Sequence, residues 1–140
     1  MNLQTGPHWH AYAYTSPPGV TPDDEEWSLD PDDWLKRPAA EIVATLLEPE
    51  EAATWMQQQL AAYPPWSEGA HGYVHATLYT RQYLHRQQDQ TPWAHYVDRH
   101  DRVVVRVLAA CPRPRPPSRP AELYAWETPV PPCPLAKPEP

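Results

Sequence analysis

Seven histidines and two cysteines are the side chains of this sequence best suited to chemistry: His8, His10, His71, His75, His85, His95, His100, Cys111 and Cys133. Zinc takes three or four nitrogen, sulfur or oxygen donors in a tetrahedron. His8 and His10, two residues apart, share one face of a strand, which suits ligation. His71 and His75, four apart, share a face in either a helix or a strand. This two-plus-two histidine set has a workable geometry, but neither HExxH nor CxxC spacing accompanies it. The sequence therefore assigns no metal ligand and no cofactor, and the histidines read as scattered polar residues. Cys111 and Cys133 each precede a proline. Two cysteines do not make a disulfide framework, so both are expected to stay reduced in the cytoplasm. A bridge between them would tie the tail back. A cysteine that ends a core strand is expected to be buried.

Two segments echo each other. His10-Ala11-Tyr12-Ala13-Tyr14-Thr15 and His75-Ala76-Thr77-Leu78-Tyr79-Thr80 both read H-A-x-x-Y-T. Two histidines on related strands can serve as general base and general acid for phosphoester cleavage. Locally this resembles the two-histidine phosphoesterases, whose signature is a pair of H-x-T/S motifs. His75-Ala76-Thr77-Leu78 fits that motif, whereas Tyr12 stands where the first motif needs Thr or Ser. The resemblance covers about a dozen residues. It implies His10 and His75 as an acid/base pair, with Thr77 and Tyr12 as phosphate donors. Other catalytic arrangements find less support. With four glycines there is no phosphate-cradling loop, and no G-x-S-x-G elbow is present.

Charge points to a different class of function. The net charge is −7, and residues 1–70 hold 12 acids against 2 bases while residues 71–140 hold 6 against 9. Net acidity argues against nonspecific nucleic-acid or membrane-surface binding. A basic set, Arg99, Arg102, Arg106, Arg113, Arg115 and Arg119, keeps a weaker nucleic-acid reading alive. The acids concentrate in residues 21–37. That segment lacks the alternating ligands and glycine of a calcium loop. It suits a surface that engages a basic partner protein through complementary fields, with aromatic anchors of the kind interfaces enrich. The residues concerned are Asp23, Asp24, Glu25, Glu26, Trp27, Asp32, Asp33 and Trp34. The leading expectation is a non-enzymatic cytoplasmic accessory protein acting by protein–protein contact. The phosphoesterase and a histidine metal site are the alternatives.

The elements that must position these residues are read from periodicity and breakers. His8–Thr15 alternates and reads as a strand, with His8, His10, Tyr12 and Tyr14 on one face and Trp9, Ala11 and Ala13 on the other. Residues 21–37 hold two short proline-started turns that pin Trp27 and Trp34. Ala39, Ile42, Val43, Leu46 and Leu47 form a helical stripe. Pro49 starts a second helix, with Ala52, Trp55, Met56, Leu60 and Tyr63 on its stripe. Residues 72–84, rich in Tyr, Val and Thr, read as a strand, and Thr91-Pro92 as the start of a short helix to about Arg99. Residues 102–110 form a doubly buried central strand. Residues 112–120 make a polyproline connector, residues 122–127 a short strand, and residues 129–140 a disordered proline-rich tail. Residues 1–128 are expected to form one compact α+β domain, a helical hairpin packed on a small, mostly antiparallel sheet. No apolar run reaches transmembrane length, and Met1 to Pro7 lacks a basic region followed by an apolar one, so no secretory signal is expected. Scarcity of residues with AT-rich codons marks a GC-rich, bacterial source.

Overall fold

The computed structural model describes residues 7–19, 31–85, 91–111 and 133–136. Strand β1 spans His8–Thr15, helix α1 Pro31–Leu35, strand β2 Ala44–Leu46, helix α2 Pro49–Ala62, helix α3 His71–Leu84, strand β3 Trp93–Val97 and strand β4 Val103–Cys111. Short 3-10 turns at Ala39–Glu41 and Pro134–Ala136 complete the described chain. The sheet runs in the order β2-β1-β4-β3, with every pair antiparallel. The class is α+β, with helices packed on an antiparallel sheet, as expected. Among the described residues no helix is long and apolar enough to cross a membrane.

β4 organises the molecule. Its Val-rich run suits a pleated, doubly covered surface, and all nine of its residues are buried. It pairs with all eight residues of β1, from His8 opposite Cys111 to Thr15 opposite Val104. Its other edge holds β3, from Trp93 opposite Val107 to Val97 opposite Val103. Alternation then sorts the side chains. Trp9, Ala11, Val104, Leu108 and Ala110 meet Ala52, Met56 and Leu60 of α2 and Ala76 and Leu84 of α3. On the opposite face Tyr12, Val103, Val105, Val107 and Ala109 meet Trp34 and Leu35 of α1. Each large apolar side chain buried this way contributes about 1.5–3 kcal/mol.

Arg106 is the polar exception within β4. Its guanidinium donates to Gln59 Oε1 at 2.8 Å, the Tyr14 carbonyl at 2.7 Å, the Val105 carbonyl at 2.8 Å and Thr15 Oγ1 at 2.9 Å. It also lies over the Tyr63 ring. Burial lowers its affinity for a proton, but the phenols of Tyr63 and Tyr96 push the other way. The β3–β4 turn is built on buried Asp98. That carboxylate accepts the backbone N–H groups of His100 and Arg102 and pairs with the Arg102 guanidinium. Asp101, at φ 62°, takes the turn's left-handed position.

Three elements differ from expectation. Residues 38–47 are not a helix. Thr45 and Leu46 lie opposite His10 and Trp9 instead, and the Val43 N–H donates to the Ala11 carbonyl. The β-branched run Ile42-Val43 and Thr45 fits the free edge of β1 better than it fits a helix. Residues 72–84 are helical, not a strand. The helix buries Gly72, Ala76, Thr80 and Leu84, a stripe of i, i+4, i+8 and i+12 that outweighs the β propensity of its tyrosines. The helical hairpin is therefore α2–α3. Residues 93–97 are β3 and not a helix, because Ala94 and Tyr96 alternate into the core. The expected strand at 122–127, the connector at 112–120, and most of the acidic segment lie outside the described residues.

Within the segment expected to be a disordered tail, residues 133–136 form a turn in which Cys133 and Pro134 are buried. The apolar proline and the thiol find cover at the end of the sheet, and that location leads to the site.

Candidate metal centre

The antiparallel register of β1 and β4 sets His8 directly opposite Cys111. Directly paired residues on one face have Cβ atoms about 4.5–5.5 Å apart. His10 is two residues along β1 on that same face, and its ring meets the His8 ring edge-on at 4.7 Å between centroids. The turn at Pro134–Ala136 brings in Cys133. Its sulfur lies 3.3 Å from His10 Nε2 and 3.6 Å from His8 Nε2. One donor atom from each of the four residues lies within 4.8 Å of every other. His8, His10 and Cys111 are at most 1 % exposed, and Cys133 is 9 % exposed.

The sulfur–nitrogen separations of 3.3 and 3.6 Å match those around a tetrahedral ion. Zinc bonds of 2.0–2.1 Å to nitrogen and 2.3 Å to sulfur put neighbouring donors roughly 3.3–3.8 Å apart. Imidazole and thiolate suit zinc and other late transition metals, not calcium or magnesium, which take oxygen. Charge also balances, because two thiolates and a divalent ion sum to zero beside two neutral imidazoles. Burying an uncompensated charge is costly, and this combination leaves none. Thr45 supplies the outer partner. It lies opposite His10 on β2, and its Oγ1 is 3.0 Å from His10 Nδ1. A proton on Nδ1, donated to Thr45 Oγ1, leaves the Nε2 lone pair facing the sulfurs. Burial, and then the charge of His8, push the His10 imidazole down to about 4, which keeps that lone pair free at neutral pH. Burial, and then the two cysteines, raise the Tyr12 phenol.

The structure separates the residues expected to act as an acid/base pair. His10 is on β1, buried against Thr45 and Cys133. His75 is on α3, stacked on Trp93 of β3 at 4.4 Å and hydrogen-bonded to the Tyr83 hydroxyl. β4 stands between those two strands, which puts them about 10 Å apart. The echo of the two segments does not become a structural symmetry, because one forms a strand and the other a helix. Thr77 is exposed and donates to the Tyr73 carbonyl. Tyr12 packs on Trp34, and its hydroxyl has no hydrogen-bond partner among the described residues. The two-plus-two histidine set divides in the same way. His71 and His75 stay on α3, with their ring centroids 6.1 Å apart.

The acidic surface is only partly described. Asp23, Asp24, Glu25, Glu26 and Trp27 lie outside the described residues, and Asp33 is exposed. Trp34, named among that surface's aromatic residues and also expected to be pinned by a short turn, is buried: α1 turns it onto Tyr12 and the valines of β4. Of the basic set, Arg99 is exposed, and Arg113, Arg115 and Arg119 lie outside the described residues. Arg106 is buried, and Arg102 is engaged with Asp98. Sequence reasoning missed the cysteines as partners of His8 and His10. The signals were present in the shared strand face of the two histidines and the cysteine ending β4. Only the β1–β4 register unites them. Compared with protein-family models, with curated proteins and with solved structures, the chain finds no match in any of the three.

Proposed function

We propose that this chain is a zinc-binding protein whose sheet is locked at one end by a single ion held by His8, His10, Cys111 and Cys133. The reading is carried by one observation: four buried donors of the right types, from three separate segments, converge within 4.8 Å. A site closed by four protein ligands is of the structural kind, since catalytic zinc keeps a position for water. In this form the protein is a non-enzymatic scaffold, and its partner is another protein. The exposed Asp33, with the acids before it in the sequence, supports a partner of basic character.

The test is metal content and ligand identity. Protein purified without chelator should carry one zinc per chain. Its cobalt-substituted form should show the intense visible bands of a tetrahedral site with sulfur-to-metal charge transfer. His8→Ala and Cys111→Ala should both lose that signal. Wild-type protein that takes up neither ion would remove the reading.

A further inference from the structure

The four ligands are not equivalent. His8, His10 and Cys111 belong to the sheet, where the eight-residue pairing of β1 with β4 fixes their spacing. His10 is further held by Thr45 on β2. Those three donors keep their places whenever the sheet is folded. Cys133 immediately precedes the turn Pro134–Ala136 and is separated from Cys111 by residues 112–132. Its sulfur lies 3.3 Å from His10 Nε2 and 3.6 Å from His8 Nε2. It is the most exposed of the four, and the adjoining Leu135 is 43 % exposed. Ordering a distant chain segment costs conformational entropy, which its contacts with the site must offset.

From this asymmetry we infer that Cys133 is a displaceable fourth ligand. The sheet supplies a rigid three-donor face of His8, His10 and Cys111, and the C-terminal segment closes it with a thiolate. The inference rests on the zinc reading above and adds a regulated position to it. With Cys133 withdrawn, the ion keeps two imidazoles and one thiolate and gains an open position. That is the three-ligand form in which zinc binds water or a small anion and lowers the pKa of the bound water. Displacement is a ligand exchange with no change of oxidation state. The zinc–sulfur bond breaks, a water oxygen or an incoming anion takes the position, and the released thiolate collects a proton from solvent. Metal occupancy and docking of residues 133–136 are then linked, so binding of each favours the other.

The experiment compares Cys133→Ala with Cys111→Ala in the full-length chain, each loaded with cobalt. Cys133→Ala should keep one cobalt per chain with about half the sulfur charge-transfer intensity. Its affinity should fall by at least the roughly tenfold that loss of an outer partner alone costs. Its spectrum should shift on adding imidazole or thiocyanate, which the wild-type spectrum should resist. Cys111→Ala retains two sheet donors and one that must be recruited, so it should bind cobalt more weakly than Cys133→Ala. A second readout needs no variant. On stripping the metal, alkylation followed by peptide mass spectrometry should label Cys133 before Cys111. Equal loss of cobalt in the two variants, or equal labelling of the two cysteines, overturns the inference while leaving the zinc reading intact. A wild-type chain that binds no cobalt overturns both.

Discussion

Gly72→Ala sets two known effects against each other, and the geometry decides between them. Replacing glycine by alanine in a helix interior favours folding by about 1 kcal/mol. Gly72, however, is the second residue of α3, where that gain is smaller. A methyl group there would lie 1.9 Å from the His95 carbonyl oxygen and 2.7 Å from its carbon. Ordinary contact needs about 3.4 Å or more, so helix and strand must part by roughly 1.5 Å. His95 cannot yield alone, because it is paired opposite Val105 in the sheet. Overpacking of this kind costs about 1–3 kcal/mol, so the steric term wins. Urea denaturation should show Gly72→Ala less stable than wild type by about 1–2 kcal/mol after the propensity gain. Gly69→Ala is the control. Its nearest atom is Ser67 Oγ at 3.9 Å and its φ is ordinary, so it should be neutral or slightly stabilising. A Gly72→Ala protein as stable as its Gly69→Ala counterpart would refute the packing of α3 on β3.

Further outcomes are expected elsewhere. Thr45→Val removes the outer partner of His10, so zinc affinity should fall about 10–100-fold in a competition titration, with the far-ultraviolet spectrum unchanged. Arg106→Leu strands Gln59 Oε1, Thr15 Oγ1 and the Tyr14 carbonyl, and should cost about 3 kcal/mol in chemical denaturation. For Asp98, burial opposes ionisation, but Arg102 and two backbone N–H groups outweigh it and hold the carboxyl below its usual 3.8. The stability it contributes is complete above that value and is lost as pH falls through the lowered folded one. The acid limb of the stability curve should therefore be shallower in Asp98→Asn than in wild type.

Much of this fold is legible from local pattern. His8–Thr15 alternates, residues 103–111 form an uninterrupted buried run, and Pro49 starts α2 where its ring costs nothing. The misread segments are those where propensity and burial conflict. Tyr73, Tyr79 and Tyr83 favour a strand, yet the buried stripe of Gly72, Ala76, Thr80 and Leu84 makes the segment helical. The apolar residues from Ala39 to Leu47 match a helix, but the open edge of β1 recruits residues 44–46 as a strand. The candidate site was half visible. That His8 and His10 share a strand face follows from spacing alone. Their cysteine partners lie more than 100 residues away, and only strand register reveals which distant residue faces which. Cys133 was hidden further by its setting, since six prolines in residues 129–140 read as a tail with nothing to hold it.

Four buried side chains, His8, His10, Cys111 and Cys133, are proposed to hold one metal ion. Elemental analysis of the full-length protein, purified without chelator from zinc-supplemented medium, tests that proposal most directly when run beside Cys111→Ala. One zinc per wild-type chain is expected, with a small fraction of that in the variant. Zinc-free wild-type protein that also fails to take up added zinc, or equal zinc in both proteins, would contradict it.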